Sequence, residues 1–191
     1  MSLTVPAGAT LLVIDVQQGL DLPFYGERNN PDAEANIGKL ITAWRAAGWP
    51  LIHIQHHSTN PDSPLHPTKP TVAFKPEAEP YSGEPVIAKG VNSAFIGTDL
   101  EQRLRDANAE HLVICGLTAE HCVSTTTRMA GNFGFSVTLA GDATFSHSKT
   151  TFTGETVSAE QVHTVALANL HNEFARVVTT EDVIAALGEV R

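Results

Sequence analysis

Six short apolar runs rich in β-branched residues recur along this chain, and amphipathic segments separate most of them. Runs of this length and composition predict buried strands. Near-continuous apolar strands are typical of a parallel sheet that helices cover on both faces. The alternation of strand and helix therefore predicts a doubly wound α/β domain, a three-layer α/β/α sandwich. The predicted strands cover residues 10–16, 50–55, 85–89, 111–116, 135–140 and 175–179.

The segments between the strands carry the periodicity and the end signals of helices. Ile37, Leu40, Ile41 and Trp44 follow the i, i+3, i+4, i+7 pattern, and Gly48 is a suitable stop. A helix is also expected over about residues 122–130, and a short last helix after residue 180. Capping boxes predict two further helix starts, one at Thr98 with Glu101 and one at Ser158 with Gln161.

Length and charge narrow the class of protein. A chain of 191 residues fits one domain, residues 1–191, better than two. The net charge of −9, from 12 basic and 21 acidic residues, argues against a nucleic-acid or anionic-membrane partner. The chain has no apolar run long enough to span a bilayer and no signal-peptide pattern at its start. Two cysteines do not make a disulfide framework, so we expect a cytoplasmic protein.

Three long irregular segments interrupt the alternation, at residues 18–31, 56–84 and 144–157. Long loops in a compact domain are usually functional or disordered. Each of these follows a predicted strand, and open α/β sheets bind ligands at the carboxyl ends of their strands. The three segments are therefore predicted to form the walls of a pocket.

Two polar residues stand at the ends of apolar predicted strands. Asp15 ends the first strand, where it could act as a general acid or base or simply cap the following turn. Lys89 ends the third strand, where it could stabilise a nearby anion or simply extend to water. The position of each residue at the strand end leaves both readings open.

The two cysteines have different settings. Cys115 lies inside the fourth apolar strand and is interpreted as a core residue. Cys122 follows that strand by a short turn and stands at the predicted start of a helix, where the helix dipole would lower the pKa of its thiol. A small buried hydrophobe remains the alternative for Cys122. His121 is discounted as its partner, because adjacent side chains at a helix start rarely point at each other.

Cofactor sites are not evident. His53, His56 and His57 cluster after the second strand and could hold a metal, but pocket lining or solvent exposure is the commoner fate of such residues. The sequence has no phosphate-binding or dinucleotide-binding glycine loop, and no Gly-x-Ser-x-Gly elbow. Neither a cofactor nor a metal is therefore expected.

Three segments together resemble a known superfamily. The chain resembles the isochorismatase-like cysteine hydrolases, which include nicotinamidases, N-carbamoylsarcosine amidohydrolases and ureide hydrolases. The resemblance rests on Asp15 in VIDVQ, Lys89 in VIAKGVNSAF and Cys122 in VICGLTAEHCVSTTTRMA. The resemblance implies a six-stranded parallel sheet in the order 3-2-1-4-5-6, a catalytic triad of these three residues, and a homo-oligomer, either a dimer or a tetramer. It also implies a cis peptide between Leu117 and Thr118, and an oxyanion site formed by the backbone N–H groups of Thr118 and Cys122.

The sequence departs from part of that pattern. Metal-binding nicotinamidases carry an Asp-x-His after the second strand, and the corresponding positions here are Gln55 and His57. The third strand lies two places from the first, about 10 Å away at normal spacing, so Lys89 has to reach inward along its stem. The residues predicted to bind substrate are Gln17, Phe24, Tyr25, His57, Phe95, Glu120 and Phe152.

The function expected from these residues is hydrolysis of a C–N bond in a small amide, ureide or carbamoyl compound, through a thioester on Cys122. One alternative is vinyl-ether hydrolysis of the isochorismatase type, which has no covalent step, although members of that branch tend to lack the cysteine. A redox enzyme is a second alternative, but no partner cysteine stands at CxxC spacing. The third is a non-catalytic binding protein of the same fold.

Overall fold

The central sheet consists of six strands, all paired in parallel. The computed structural model describes residues 3–187. Along the sheet the strands lie in the order β3-β2-β1-β4-β5-β8, which confirms the predicted topology, with β8 as the sixth strand of the sheet. Their bounds are Thr10–Ile14 (β1), Leu51–His56 (β2), Val86–Lys89 (β3), His111–Leu117 (β4), Ser136–Phe145 (β5) and Arg176–Val178 (β8).

Two apolar cores cover the two faces of this sheet. Successive side chains of a strand point to opposite faces, and in β1 Leu11 and Val13 join one core whereas Leu12 and Ile14 join the other. Because both sets are fully buried, the strand carries no polar alternation. The first core contains residues of helices α1 and α5, and the second contains residues of α2, α3 and α4. The helices are Ala33–Ala47 (α1), Leu100–Asp106 (α2), Ser124–Asn132 (α3), Ala159–Leu170 (α4) and Thr180–Ala185 (α5).

The signals for helix ends in the sequence predict the observed ends to within a few residues. α1 ends at Gly48, which adopts a left-handed conformation, and the capping box of Ser158 precedes α4 as predicted. The predicted box at Thr98 is wrong, because that hydroxyl donates to the Ala94 carbonyl oxygen and Asp99 is the N-cap of α2. The helical stretch expected from Cys122 begins three residues earlier, in a π-helical turn over Ala119–Val123 that continues into α3.

The long segments fold over the carboxyl edge of the sheet. The segment at 144–157 is not wholly irregular, since Lys149–Thr150 (β6) and Thr156–Val157 (β7) form an antiparallel hairpin. Arg28 of the first segment and Lys75 of the second both form ion pairs with Glu34 and with Asp21. These pairs fasten the two segments to each other and to α1. In the described part of the chain, no helix is long and apolar enough to cross a membrane.

Candidate active site

The structure brings together the three residues of the predicted triad. The Lys89 Nζ atom lies 2.6 Å from Asp15 Oδ2 and 3.3 Å from Cys122 Sγ. It also lies 3.0 Å from Nδ1 of His56, the residue that pairs with Lys89 in the register of β2 and β3. The lysine stem therefore crosses the width of β2 to reach Asp15 at the end of β1, as the strand order required. Asp15 and Lys89 are almost completely buried.

The backbone around Asp15 explains how the carboxylate reaches this position. Its N–H continues the sheet by donating to the Ile54 carbonyl oxygen at 3.0 Å, but its φ of 50° turns the chain out of the strand. Such a conformation is uncommon for residues other than glycine and is often found at functional sites. Gly116 of β4 lies alongside with φ 124°, and a Cβ there would collide with the Ile14 carbonyl oxygen. Glycine thus lets the end of β4 approach the end of β1.

The thiol of Cys122 lies in the π-helical turn that follows β4. The N–H groups of His121 and Val123, on either side of it in sequence, both donate to the Thr118 carbonyl oxygen. The cis peptide expected between Leu117 and Thr118 is present. Cys122 therefore lies in the first turn of a helical stretch, whose free N–H groups and dipole favour negative charge.

Burial raises the pKa of Cys122, the nearby charge of Asp15 raises it further, and the charge of Lys89 only partly opposes them. The lowered pKa predicted from the helix dipole is therefore wrong for the ligand-free protein. The thiol keeps its proton at neutral pH, in contact with an ion pair that carries no net charge. Oδ1 of Asp15 is buried and accepts no hydrogen bond from the described residues, so it is free to take a proton.

A cavity of about 250 Å³ opens onto these groups. Asp15 and Cys122 line it, as do Tyr25 and His147, whose rings stack with 5.4 Å between their centroids. The other lining residues are mostly polar: Leu20, Phe24, His56, Ser58, Asn60, Ser63, Leu65, Asn92, Leu117, Thr118, His121 and Lys149. All three long segments contribute to it, as predicted.

Of the seven residues predicted to bind substrate, Phe24 and Tyr25 line this cavity. Phe95 does not, because it packs in the core beside Phe133 and Phe135. Phe152 does not either, because it is fully exposed beyond the β6 strand of the hairpin.

The remaining three predicted residues lie outside the lining of this cavity. The Gln17 side chain is fully buried, where it donates to the carbonyl oxygens of His56 and Val72 and accepts from the His56 N–H. His57 bonds to Gln55 at 3.0 Å, and Glu120 forms an ion pair with Lys149. Gln17 thus holds β2 and the second segment in position, a role that its sequence setting did not reveal.

Several lining residues were not predicted, notably His147, Lys149 and Asn92. Asn92 lies close to Cys122, with Oδ1 3.9 Å from the Cys122 Sγ atom. It stands three residues after Lys89, so its proximity to the lysine in sequence was the available signal. His147 and Lys149 come from the third segment, where no local pattern distinguishes a lining residue from an exposed one.

The potential metal ligands in the described residues are Asp15, His56 and Cys122, whose ligand atoms lie within 4.8 Å of one another. The Lys89 ammonium is within 3.3 Å of an atom of each, so a cation already occupies the centre of this set. The three histidines considered from the sequence have different partners. His53 bonds to Glu84 and His57 to Gln55, so neither joins His56 in a ligand set. This donor set therefore fits an ammonium ion rather than a metal.

A doubly wound parallel sheet whose carboxyl edge holds a buried carboxylate, an ammonium and a thiol defines a hydrolase of the isochorismatase-like type. The chain belongs to the isochorismatase family, since it matches the isochorismatase domain over residues 9–182. An isochorismatase-family structure from Chromobacterium violaceum superposes with a TM-score of 0.92 at 48% identity, covering 97% of this chain and 96% of that one. The isochorismatase family protein YrdC of Bacillus subtilis is 45% identical over 91% of this chain and 93% of its own length.

More distant relatives include proteins with named activities. The ureidoacrylate amidohydrolase RutB of Methylobacterium radiotolerans is 27% identical over 96% of this chain and 81% of its own length. A cysteine hydrolase from Pseudomonas syringae pv. phaseolicola superposes with a TM-score of 0.85 at 25% identity, covering 94% of this chain and 92% of that one. The chain is accordingly an isochorismatase-family hydrolase with amidohydrolase and cysteine-hydrolase relatives.

Proposed function

We propose that this protein hydrolyses a C–N bond of a small amide, ureide or carbamoyl compound through a thioester on Cys122. The observation that carries the proposal is the contact of one ammonium, Lys89 Nζ, with both the Asp15 carboxylate and the Cys122 sulfur. An acid/base and a nucleophile that share one counter-ion can exchange a proton without any change in the net charge of the site. The amidohydrolase and cysteine-hydrolase relatives support the same chemistry.

The first step moves a proton within the triad. The Cys122 thiol transfers its proton to Asp15, whose Oδ1 has no other donor in the described structure. The negative charge passes to sulfur, where Lys89 stabilises it from 3.3 Å. The transfer creates no additional charge in the buried site, and it removes the Asp15 charge that helps to raise the pKa of the thiol. The thiolate then attacks the substrate carbonyl carbon, and the carbonyl electron pair moves to oxygen.

The oxyanion is held at the start of the helical stretch. The backbone N–H groups of Thr118 and Cys122 are the donors we assign to it, and the positive end of the helix dipole supports them. When the tetrahedral intermediate collapses, the C–N bond breaks and the protonated Asp15 gives its proton to the departing nitrogen. The products of this half-reaction are an amine or ammonia and a thioester on Cys122.

The second half-reaction returns the enzyme to its starting state. Asp15 takes a proton from water, the resulting hydroxide attacks the thioester, and the same N–H groups hold the new oxyanion. The C–S bond then breaks, the acid leaves, and the proton on Asp15 returns to sulfur. No cofactor takes part in this cycle. Free thiols at Cys115 and Cys122 suit a reducing compartment, so we place this chemistry in the cytoplasm.

The test is release of ammonia or amine from a panel of small amides, ureides and carbamoyl compounds. Asp15→Asn should still fold but lose turnover, because an amide side chain cannot carry the proton. Its stability should fall by about 3–5 kcal/mol, since Lys89 is left buried without its counter-ion. Cys122→Ser should lower kcat about 10³-fold or more, whereas dialysis against a chelator should change nothing. Near-wild-type kcat in Asp15→Asn would exclude its acid/base role. Activity that disappears with the chelator and returns with zinc or manganese would contradict the metal-free cycle.

A further inference from the structure

His56 is a histidine beside the triad that the proposed cycle does not use. It ends β2 and lies opposite Lys89 in the register of β2 and β3. His56 lines the cavity together with Asp15 and Cys122, whereas Lys89 is not among the described lining residues and its side chain is fully buried. The ammonium therefore lies behind three residues of the cavity lining and contacts all three.

The Lys89 ammonium has three N–H donors and no acceptor. Its partners among the described residues are Asp15 Oδ2 at 2.6 Å, His56 Nδ1 at 3.0 Å and Cys122 Sγ at 3.3 Å. Donors and partners are equal in number, so each partner fixes the direction of one N–H group. Asp15 and Cys122 exchange the proton of the proposed cycle. His56 takes no part in that exchange, and its contact holds the ammonium throughout.

The His56 ring faces the ammonium as an acceptor. A neutral imidazole has one N–H donor and one acceptor nitrogen, and an ammonium offers only donors, so Nδ1 carries the lone pair and Nε2 the proton. Burial lowers the pKa of His56 and the charge of Lys89 lowers it further, although the charge of Asp15 opposes them. The ring is therefore neutral at pH 7. A neutral acceptor stabilises the ammonium and adds no charge to the buried site.

The backbone of His56 is fixed relative to the end of β1. Gln17, two residues after Asp15, is fully buried. Its side chain donates from Nε2 to the His56 carbonyl oxygen at 3.1 Å and accepts at Oε1 from the His56 N–H at 2.8 Å. On the other side of β2, the His57 N–H donates to the Lys89 carbonyl oxygen at 2.8 Å. The His56 ring is thus attached at a fixed point between the ends of β1 and β3.

We propose that His56 is a positioning residue that holds the Lys89 ammonium against the Cys122 sulfur. This inference rests on the proposed function and adds to it a residue that acts through Lys89. The lysine stem is flexible and crosses the width of β2. Without an acceptor at position 56, the bond to Asp15 remains, but the stem can move around it and the longer contact with sulfur is lost. Thiolate formation then becomes less favourable, because less positive charge faces the sulfur.

The test measures the rate constant for alkylation of Cys122 by iodoacetamide at pH 9. The reagent forms a C–S bond with loss of iodide and of the thiol proton, and peptide mass spectrometry separates this adduct from any at Cys115. His56→Leu fills the space of the ring without an acceptor. It should lower the rate constant about tenfold, the size expected for one hydrogen bond to a charged group. His56→Asn should stay within about threefold of wild type, because its Oδ1 accepts near the position of the lost Nδ1.

His57→Leu is the matched control, because it removes the neighbouring ring, which bonds to Gln55 and is not among the lining residues. Its rate constant should stay within about twofold of wild type. A second control introduces His56→Leu into a protein that carries Asp15→Asn and Lys89→Met. Since His56 acts through the ammonium, His56→Leu should have no further effect there.

Three results would each overturn the proposal. The rate constant of His56→Leu could equal or exceed that of wild type, His56→Asn could be as slow as His56→Leu, or His56→Leu could have its full effect in the protein without the ammonium. A merely structural role of His56 predicts the last of these. Should His56→Leu fail to fold, His56→Val is measured in its place, because a β-branched side chain suits a strand.

This readout does not depend on turnover, so the two proposals fail separately. Slower alkylation in His56→Leu, in an enzyme that cleaves no compound of the panel, would support the positioning role and remove the proposed reaction. Ammonia release from the panel, together with unchanged alkylation in His56→Leu, would support the reaction and remove the positioning role.

Discussion

The buried pair of Asp15 and Lys89 allows a quantitative prediction about Lys89→Met. The two side chains are 2% and 0% exposed and their charged atoms are 2.6 Å apart, so solvent does not screen them. Methionine keeps the length of the lysine stem but leaves the Asp15 charge buried without its counter-ion. Breaking a buried pair in this way costs about 3–5 kcal/mol. For a chain of this size, that corresponds to a fall in Tm of about 6–20 °C.

The double variant Asp15→Asn with Lys89→Met separates the charge effect from a packing effect. It removes both charges and nearly preserves both shapes, so it should recover to within about 2 kcal/mol of wild type. Urea unfolding of the four proteins gives the coupling energy, and Lys39→Met provides a control at an exposed position, where a change within about 0.5 kcal/mol is expected. The double variant should remain inactive although it is stable. Either of two results would refute the reasoning. The free energy of unfolding of Lys89→Met could lie within about 1 kcal/mol of the wild-type value, or the loss in the double variant could equal the sum of the losses in the two single variants.

Three further predictions concern the thiols and the assembly. Cys115→Ala should cost about 1 kcal/mol of stability, because it truncates a fully buried side chain. The variant should keep most activity in the ammonia assay, and a well-folded but inactive variant would contradict this. Burial raises the pKa of Cys122, so the rate constant of its alkylation in ligand-free enzyme should still increase with pH at pH 9. A rate constant that reaches a plateau by about pH 7 would show a thiolate instead. Light scattering at micromolar concentration should give a multiple of the 20.4 kDa chain mass, and the monomer mass would exclude the homo-oligomer that we propose.

The order of the sheet and the convergence of the triad could be predicted from the sequence. Strand ends in a parallel sheet meet at one edge, so Asp15 and Lys89 needed only the correct strand order to be placed together. The segment around Cys122 was specific enough to supply that order through its resemblance to a family. Helix ends followed local signals such as Gly48, whose left-handed conformation ends α1.

The pKa of Cys122 could not be predicted in the same way. The argument from the helix dipole uses only local structure, whereas desolvation depends on every segment packed over the thiol. Burial by those segments is the largest cause of the raised pKa, and the Asp15 charge adds to it. The sequence therefore singled out Cys122 as the candidate nucleophile, but the direction that it predicted for the pKa of this thiol is wrong for the ligand-free protein.

The residues that line the cavity could not be predicted from local sequence either. Phe24 and Phe95 are the same residue type in irregular sequence, yet one lines the cavity and the other packs in the core. Phe152 is fully exposed. Lys149 lies on a two-residue strand that no pattern indicated. Which loop residues face a cavity depends on how separate segments pack together, and that information is not contained in any one of them.

The most direct test of the central claim is mass spectrometry of the enzyme quenched in acid during turnover of a working substrate. The account predicts an adduct of acyl mass on the peptide that contains Cys122, with Cys115 unmodified. The adduct should accumulate further in any variant in which deacylation is slow. Two results together would contradict covalent cysteine catalysis in this protein. One is turnover of a substrate with no adduct on Cys122, and the other is activity that remains after iodoacetamide has blocked this thiol.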